Sequence, residues 1–250
     1  AADVTGGGRS MTGRVDYSYD TNNFFDSQLK KDLFQQAVDS ILSRMGDDLS
    51  AIMPSGGNTW IADFVHPGTG ESQTVANLQV SANEIVIFAG GRELGTTLAV
   101  GGPGGFQATC TVVSFCDLVA TRGELGAKTG ASDPPATDFG PWGGSVSFDV
   151  TTDFHFSQST DDLGTQQSDF LSVAIHEVSH LLGFGTSRAW TTYVSSGNFN
   201  GPASRLANGN QSVPLSGGSS HWASGTKSDG RDAALSPSLT SGTRKLLTPL

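Results

Sequence analysis

Apolar residues recur every three or four positions from Asp26 to Ile52, a spacing that places them on one face of a helix. Asp26 or Ser27 can cap the start of this helix, and Gly46 weakens its last turn. The pattern therefore predicts a long amphipathic helix near the start of the chain.

A second apolar run extends from Phe170 to Leu182 and is flanked by residues that begin and end helices. Ser168 or Asp169 can cap its start, and Gly183 suits its end. The run predicts a second main helix, and two of the five histidines of the chain lie in its middle.

Three stretches have the pattern of β-strands. The run EIVIFAGG, from Glu84 to Gly91, is apolar and β-branched, which predicts a buried strand. RVDYSYD, from Arg14 to Asp20, indicates another strand. From Val146 to Phe156 apolar and polar residues alternate, which predicts a half-exposed strand with His155 on its polar face.

Other parts of the chain show little periodicity. Residues 185–220 are rich in Gly, Ser and Asn, so we expect a long surface loop there. GGPGGF, from Gly101 to Phe106, predicts a flexible turn, because no lysine follows at the spacing of a phosphate-binding loop. Helices and strands that do not alternate along the chain fit one α+β domain over residues 1–250.

The charge of the chain excludes one class of partner. Its 250 residues include 14 basic and 24 acidic side chains, with a net charge of −10 and no basic cluster that could follow a phosphate backbone. We therefore expect no nucleic-acid partner. No apolar run approaches the roughly 18 residues that span a bilayer, and the first ten residues lack the apolar core of a signal peptide, so we expect no membrane partner.

The two cysteines bear on the cellular compartment. Cys110 and Cys116 lie close together, which suits a small disulfide loop formed in an oxidising compartment; a pair of buried thiols is the alternative. Few lysines and many small polar residues are also typical of secreted proteins. We expect a secreted monomer.

The second predicted helix contains the motif H-E-x-x-H. Residues four apart on a helix differ by roughly 40° in direction, so His176 and His180 project from one face and can bind one ion. Glu177 points roughly 100° away, where it can reach a water on the metal but does not compete as a ligand. The pattern predicts a catalytic zinc site with Glu177 as the general base.

A catalytic zinc usually has three protein ligands, so a third must come from elsewhere. No glutamate follows the motif, which leaves His221, Asp229 and Asp232 as downstream candidates. His221 is favoured because small flexible residues surround it and nitrogen suits zinc. Upstream, we expect His155 to be solvated or to face substrate and His66 to be a loop residue.

The stretch HEVSHLLGFG, with Gly183 after the second histidine, resembles the zinc helix of the metzincin clan of metallopeptidases. Most of the clan has a third histidine three residues after that glycine, where this chain has Thr186. Leishmanolysin-like members resemble the chain better, because they insert a long segment before the third histidine. His221 would fill that role, with residues 185–220 as the insertion.

The resemblance extends weakly to the end of the chain. AALSPSLT is similar to the turn beneath the zinc that usually contains a methionine, with Leu235 at that position. It implies a metzincin-like α+β fold with a zinc cleft between two lobes. Residues 1–183 would form an N-terminal lobe with a twisted mixed sheet and two main helices, and residues 184–250 a small irregular lobe.

The resemblance implies a zinc endopeptidase that acts on protein or peptide substrates through a water activated by Glu177. The strand from Val146 to Phe156 resembles the clan's edge strand, which pairs with extended substrate; an ordinary sheet edge is the alternative. GTRKLLTPL resembles the segment before the clan's C-terminal helix, so an enzyme inactive for lack of that helix is a further alternative.

An alternative from another class is a secreted zinc-containing binding or surface module without peptidase activity. Glu177 argues against it, because a structural site needs no base. Calcium is a second cofactor to consider, but no calcium-loop motif is present, so we expect its candidate ligands to be solvated. These candidates are Asp149, Asp153, Asp161 and Asp162.

Overall fold

The computed structural model describes residues 11–127 and 135–250. They form an α+β structure with a mixed sheet and few helices, which confirms the predicted fold class at that level. The helices are α1 (Gln28–Leu42), α2 (Val113–Thr121), α3 (Phe170–Leu181), α4 (Arg188–Thr192) and α5 (Pro202–Ala207).

The strands in the first part of the chain are β1 (Thr12–Asp16), β2 (Thr59–Val65), β3 (Ser72–Ala76), β4 (Glu84–Arg92), β5 (Ala99–Pro103), β6 (Gly105–Thr109) and β7 (Gly143–Asp149). Those that follow are β8 (Phe154–His155), β9 (Ser168–Asp169), β10 (Val194–Ser195), β11 (Asn198–Phe199), β12 (Val213–Pro214), β13 (Lys227–Ser228) and β14 (Arg231–Asp232).

The central sheet has four strands in the order β1-β4-β7-β5, with β5 antiparallel at one edge and the others parallel. On one face, Ile85 and Ile87 of β4 join a core that α1 and α3 complete. On the other face, Val86 and Phe88 meet Trp60 of a second sheet, β3-β2-β6. The predicted buried strand is confirmed, because both of its faces are covered.

The prediction of a half-exposed strand from Val146 to Phe156 was wrong. β7 is buried at every position and ends at Asp149, where a turn separates it from β8. Its polar side chains are satisfied internally: Ser147 Oγ donates to the carbonyl of Pro67 at 2.7 Å, and the Asp149 carboxylate accepts from Leu94 N at 2.8 Å. The two faces of β7 are therefore both buried. One carries apolar side chains, and the other carries polar side chains that are hydrogen-bonded inside the protein.

The first helix is shorter than its hydrophobic spacing predicts. Ser27 caps α1 as expected, but the helix ends at Leu42 and not at Ile52. Leu49 and Ile52 are buried from an extended segment, where the amide of Ile52 donates to the carbonyl of Val80 at 2.8 Å. The apolar residues continue past the helix because the next segment also supplies core side chains.

Residues 185–220 do not form the predicted structureless loop. They contain α4, α5 and a small sheet in the order β10-β11-β12. Each of these elements is too short for a hydrophobic period to repeat, which is why the sequence pattern missed them. Their side chains contribute to a separate buried group, here called the aromatic cluster, which contains Trp190, Phe199, Val213, Trp222, Ala233, Leu235 and Leu250.

The cysteine pairing is confirmed. Cys110 and Cys116 form a disulfide at the start of α2. Among the helices of the described residues, none combines the length and the apolar character needed to cross a bilayer. The disulfide is compatible with the expected extracellular location.

Candidate metal centre

α3 holds His176 and His180 on one face, one turn apart. The side chain of Asp169 caps its first turn, and the chain turns away at Gly183, whose φ is +99°. A Cβ at Gly183 would lie 2.4 Å from the ring of Phe139. Both the left-handed backbone and the lack of space therefore require glycine where the zinc motif of the sequence ends.

His221 comes to the same place from the C-terminal part of the chain. The segment before it passes close to the turn after α3: a Cβ at Gly185 would lie 2.1 Å from the carbonyl oxygen of Ser220. On its other side, Trp222 is buried in the aromatic cluster. His221 is thus held between a close backbone contact and a buried indole.

The three imidazoles meet through their Nε2 atoms. Nε2 of His180 lies 3.0 Å from that of His176 and 3.0 Å from that of His221, and the remaining pair is 3.1 Å apart. Nitrogen ligands about 2.0–2.1 Å from one tetrahedral ion lie about 3.3 Å from one another. The described residues therefore include a three-histidine group that could hold a metal ion.

The other ring nitrogen of each histidine has a partner, which decides where the protons lie. A carbonyl oxygen can only accept, so the rings of His176 and His180 carry their proton on Nδ1 and leave the Nε2 lone pair free. Lone pairs about 3 Å apart repel unless a cation lies between them. The Nδ1 partners are the Ala234 carbonyl for His176 (2.9 Å), the Phe184 carbonyl for His180 (2.7 Å) and Ser220 Oγ for His221 (3.1 Å).

Electrostatics favour the neutral, ligating form of these rings. Burial lowers the pKa of all three histidines, and repulsion from His180 adds to this at the other two; the pKa of His176 falls to about 3. Protons therefore compete weakly for the ligand lone pairs near neutral pH.

Glu177 lies beside the group and is buried, with 8% of its surface exposed. Burial raises the pKa of its carboxyl to about 7, although a hydrogen bond with the backbone of Gly101 opposes the shift. A carboxyl with a pKa near 7 can both accept and return a proton at neutral pH.

A cleft of about 640 Å³ runs past the histidines. α3 forms its floor, β5 and the residues before it form one wall, and the chain from Ala234 to Lys245 forms the other. The wall of β5 is close: a Cβ at Gly101 would lie 2.5 Å from the carbonyl oxygen of Glu177. The three-histidine group and Glu177 therefore open into one cleft beside a sheet edge.

The structure brings His176, His180 and His221 together and leaves the two aspartate alternatives for the third ligand elsewhere. Asp232 pairs with Lys227 at 2.6 Å, and Asp229 lies in the turn between β13 and β14. Neither belongs to a possible metal group among the described residues.

The two remaining histidines lie outside this group. His155 is buried, with Nε2 3.0 Å from the carbonyl of Ser159, so the expectation of a solvated or substrate-facing side chain was wrong. His66 lies in a turn after β2, where its Nδ1 accepts from Gly68 N at 3.0 Å.

The calcium candidates named from sequence do not form a group. Asp149 is buried, so the expectation that it is solvated was wrong, and its carboxylate accepts from the Thr151 and Thr152 hydroxyls at 2.7 Å. A different set, Asp47, Glu124 and Asp138, has carboxylate oxygens within 4.8 Å of one another. Burial and neighbouring carboxylates raise the pKa of Asp47 and Glu124, and such half-exposed acidic groups are common without an ion.

Sequence reasoning missed two parts of the cleft. GGPGGF was interpreted as a flexible turn, but Gly101 to Pro103 belong to β5 and Gly105 starts β6. Lys245, in the segment GTRKLLTPL, also lines the cleft. The sequence gives no local signal for either part. The glycines of β5 carry no side chains that could alternate, and a single lysine forms no pattern.

Known proteins give no independent guide to this site. A scan against protein-family models, a search of curated proteins and a search of solved structures each find no match to the chain. Any function must therefore be argued from the residues of the cleft.

Proposed function

We propose that this chain is a secreted zinc endopeptidase of the metzincin clan, similar to leishmanolysin in the long segment between Gly183 and His221. The observation that carries the proposal is the convergence of three Nε2 lone pairs beside a buried carboxyl, in a cleft along a sheet edge. Three nitrogen ligands with an open fourth position are typical of catalytic zinc, whereas structural zinc sites are usually closed.

The chemical type of the three side chains fits zinc, and so do the hydrogen bonds that hold their rings. Neutral imidazole suits zinc, and backbone carbonyls on the outer nitrogens of His176 and His180 fix the ring orientation and raise ligand basicity. A bound Zn²⁺ would supply a water of lowered pKa and polarisation of the scissile carbonyl.

Glu177 performs the proton transfers. Its carboxylate accepts the proton of the attacking water, and the carboxyl returns a proton to the leaving amine. The positive charge of a metal next to Glu177 would lower the pKa of about 7 that burial produces, so the base would be ionised at neutral pH.

The substrate-pairing strand is β5, not the strand from Val146 to Phe156. β7 lies inside the central sheet, between β4 and β5, and cannot accept another strand. β5 is one of the two edge strands of this sheet and lines the cleft. An extended protein or peptide substrate can therefore add to β5 through main-chain hydrogen bonds, which favours cleavage within a chain.

Cleavage of a mixed peptide library tests the proposal. We expect cuts by the zinc-loaded protein that disappear with a chelator and in the Glu177→Gln variant. Glu71→Gln, at an exposed turn outside the cleft, is the matched control and should cut normally. Cuts that persist in Glu177→Gln would contradict the role of the base, and intact peptides despite bound zinc would favour a binding module.

A further inference from the structure

One charged side chain in the cleft has no part in the proposed reaction. Of the Asp, Glu, Lys and Arg side chains among the described residues, only Glu177 and Lys245 line the cleft. In a chain with 24 acidic and 14 basic residues, a cleft whose one unassigned charge is positive differs from the molecule as a whole. Lys245 is therefore a candidate for binding a negatively charged group in the cleft.

Lys245 lines the same cleft as the three histidines. Its backbone amide donates to Ser172 Oγ at 2.7 Å. Ser172 precedes His176 by four residues, a rise of about 6 Å along the helix. A side chain of a substrate bound at the histidines can reach this position without leaving the cleft.

The backbone at Lys245 is held in place by its neighbour. Arg244 binds the buried carboxylate of Asp169, with Nη2 2.6 Å from Oδ1 and Nε 3.0 Å from Oδ2. The lysine stem thus starts from a fixed point at the start of α3, which reduces the entropy lost when its ammonium group binds a ligand.

The charge of Lys245 is not neutralised within the part of the chain that the structure describes. Its Nζ donates to the carbonyl of Ser238 at 2.6 Å, a neutral acceptor, and forms none of the ion pairs there. Asp232, the carboxylate that acts on it electrostatically, pairs with Lys227. Burial lowers the pKa of Lys245, so its ammonium group has lost water without gaining an anion.

We propose that Lys245 makes the cleft selective for substrates with glutamate or aspartate beside the bond that is cut. The carboxylate would bind Nζ through a charge-assisted hydrogen bond, while Val173 and Leu239, which also line the cleft, would contact the side-chain methylenes. This inference rests on the proposed peptidase function.

Matched peptides that differ only in Glu or Gln beside the cut bond measure this selectivity. We expect the zinc-loaded protein to cut the Glu peptide with a kcat/KM about tenfold higher, the size of one charged hydrogen bond. Lys245→Met should reduce the ratio to near one by lowering kcat/KM for the Glu peptide, and Lys245→Glu should favour a Lys peptide. Lys31→Met removes a charge outside the cleft and should keep the tenfold ratio.

A binding measurement separates failure of this inference from failure of the peptidase function. Two metal-binding hydroxamates, one with a glutamate and one with a glutamine side chain, are titrated by calorimetry into zinc-loaded wild-type protein and Lys245→Met. We expect about tenfold tighter binding of the acidic ligand, lost in the variant.

The cleavage and binding measurements together distinguish the proposal for Lys245 from the peptidase proposal. Acid-selective hydroxamate binding without peptide cleavage would support Lys245 and overturn the peptidase proposal. Cleavage without preference for the Glu peptide, or a preference unchanged in Lys245→Met, would overturn the role of Lys245 and leave the peptidase proposal intact. Neither cleavage nor acid preference would reject both.

Discussion

The guanidinium of Arg244 binds the fully buried carboxylate of Asp169 through two hydrogen bonds, at 2.6 and 3.0 Å. The same carboxylate caps α3 by accepting from Ser172 N and Ser172 Oγ. One ion pair therefore ties the last part of the chain to the start of the helix that holds two of the three histidines.

Arg244→Met should destabilise the protein by about 3–5 kcal/mol, because it leaves a buried carboxylate without its cation. Urea unfolding measures the loss. Arg14→Met, which removes an exposed pair with Glu84, is the control and should cost no more than about 1 kcal/mol. Equal losses in the two variants would show that Asp169 does not depend on Arg244.

His221→Ala should weaken zinc binding more than a hundredfold, because it removes one of the three imidazoles whose Nε2 atoms lie 3.0–3.1 Å apart. Competition with a chromogenic chelator measures the affinity. His66→Ala and Asp232→Asn are the controls and should bind zinc normally. A large effect of Asp232→Asn would instead identify the aspartate as a ligand.

Gly101→Ala should abolish cleavage and destabilise the protein by about 1–3 kcal/mol, since its Cβ would lie 2.5 Å from the backbone carbonyl oxygen of Glu177. Either β5 or Glu177 must then move. Gly102→Ala, whose Cβ would meet nothing within 4 Å, provides a control in the same strand. Activity and urea midpoints are compared, and a harmless Gly101→Ala would contradict the close packing of β5 on α3.

The carboxyl of Glu177 gives the metal-free protein a pH-dependent stability. Its pKa is raised from 4.5 to about 7 on folding, so the folded state holds its proton more tightly than the unfolded state. Its contribution is complete below pH 4.5 and is lost as the pH rises to 7. Relative to Glu177→Gln, the wild-type protein should therefore lose up to about 3 kcal/mol over this interval.

Urea unfolding in a chelator, at several pH values from 4.5 to 7.5, measures that difference. The histidines titrate in both proteins, so their effect largely cancels in the comparison. A difference that does not change with pH would mean that the carboxyl keeps its ordinary pKa.

Leu235→Met should keep zinc affinity and activity within about twofold and change stability by less than about 1.5 kcal/mol, because the two side chains have similar volumes. Leu235→Ala should cost about 2–5 kcal/mol by leaving a cavity in the aromatic cluster. The cavity should also let the backbone of Leu235 shift. Its carbonyl accepts from the amide of Trp222, next to His221, so we expect weaker zinc binding as well. Zinc affinity unchanged in Leu235→Ala would show that the cluster does not position His221.

The sequence by itself determined the parts of the site that lie within one helix. The spacing of His176, Glu177 and His180 fixes their relative directions, because helix geometry repeats locally. A cap at Ser168 or Asp169 and an end of the helix at Gly183 were predicted for the same reason, and the structure has Asp169 at the cap. The buried strand β4 and the disulfide were also local signals, in a continuous apolar run and in two cysteines six residues apart.

Only the tertiary structure decided the rest, because those contacts join residues far apart in the chain. The alternation in β7 predicted a half-exposed strand, but its polar side chains are buried, with Ser147 bonded to the carbonyl of Pro67 and Asp149 to the amide of Leu94. The glycines of β5 gave no strand pattern, and only the sheet order makes β5 the edge beside Glu177. The sequence left three candidates for the third metal ligand, and the close approach of Gly185 and Ser220 brings His221 to the other histidines. Lys245 enters the cleft because Arg244 fixes the chain beside it.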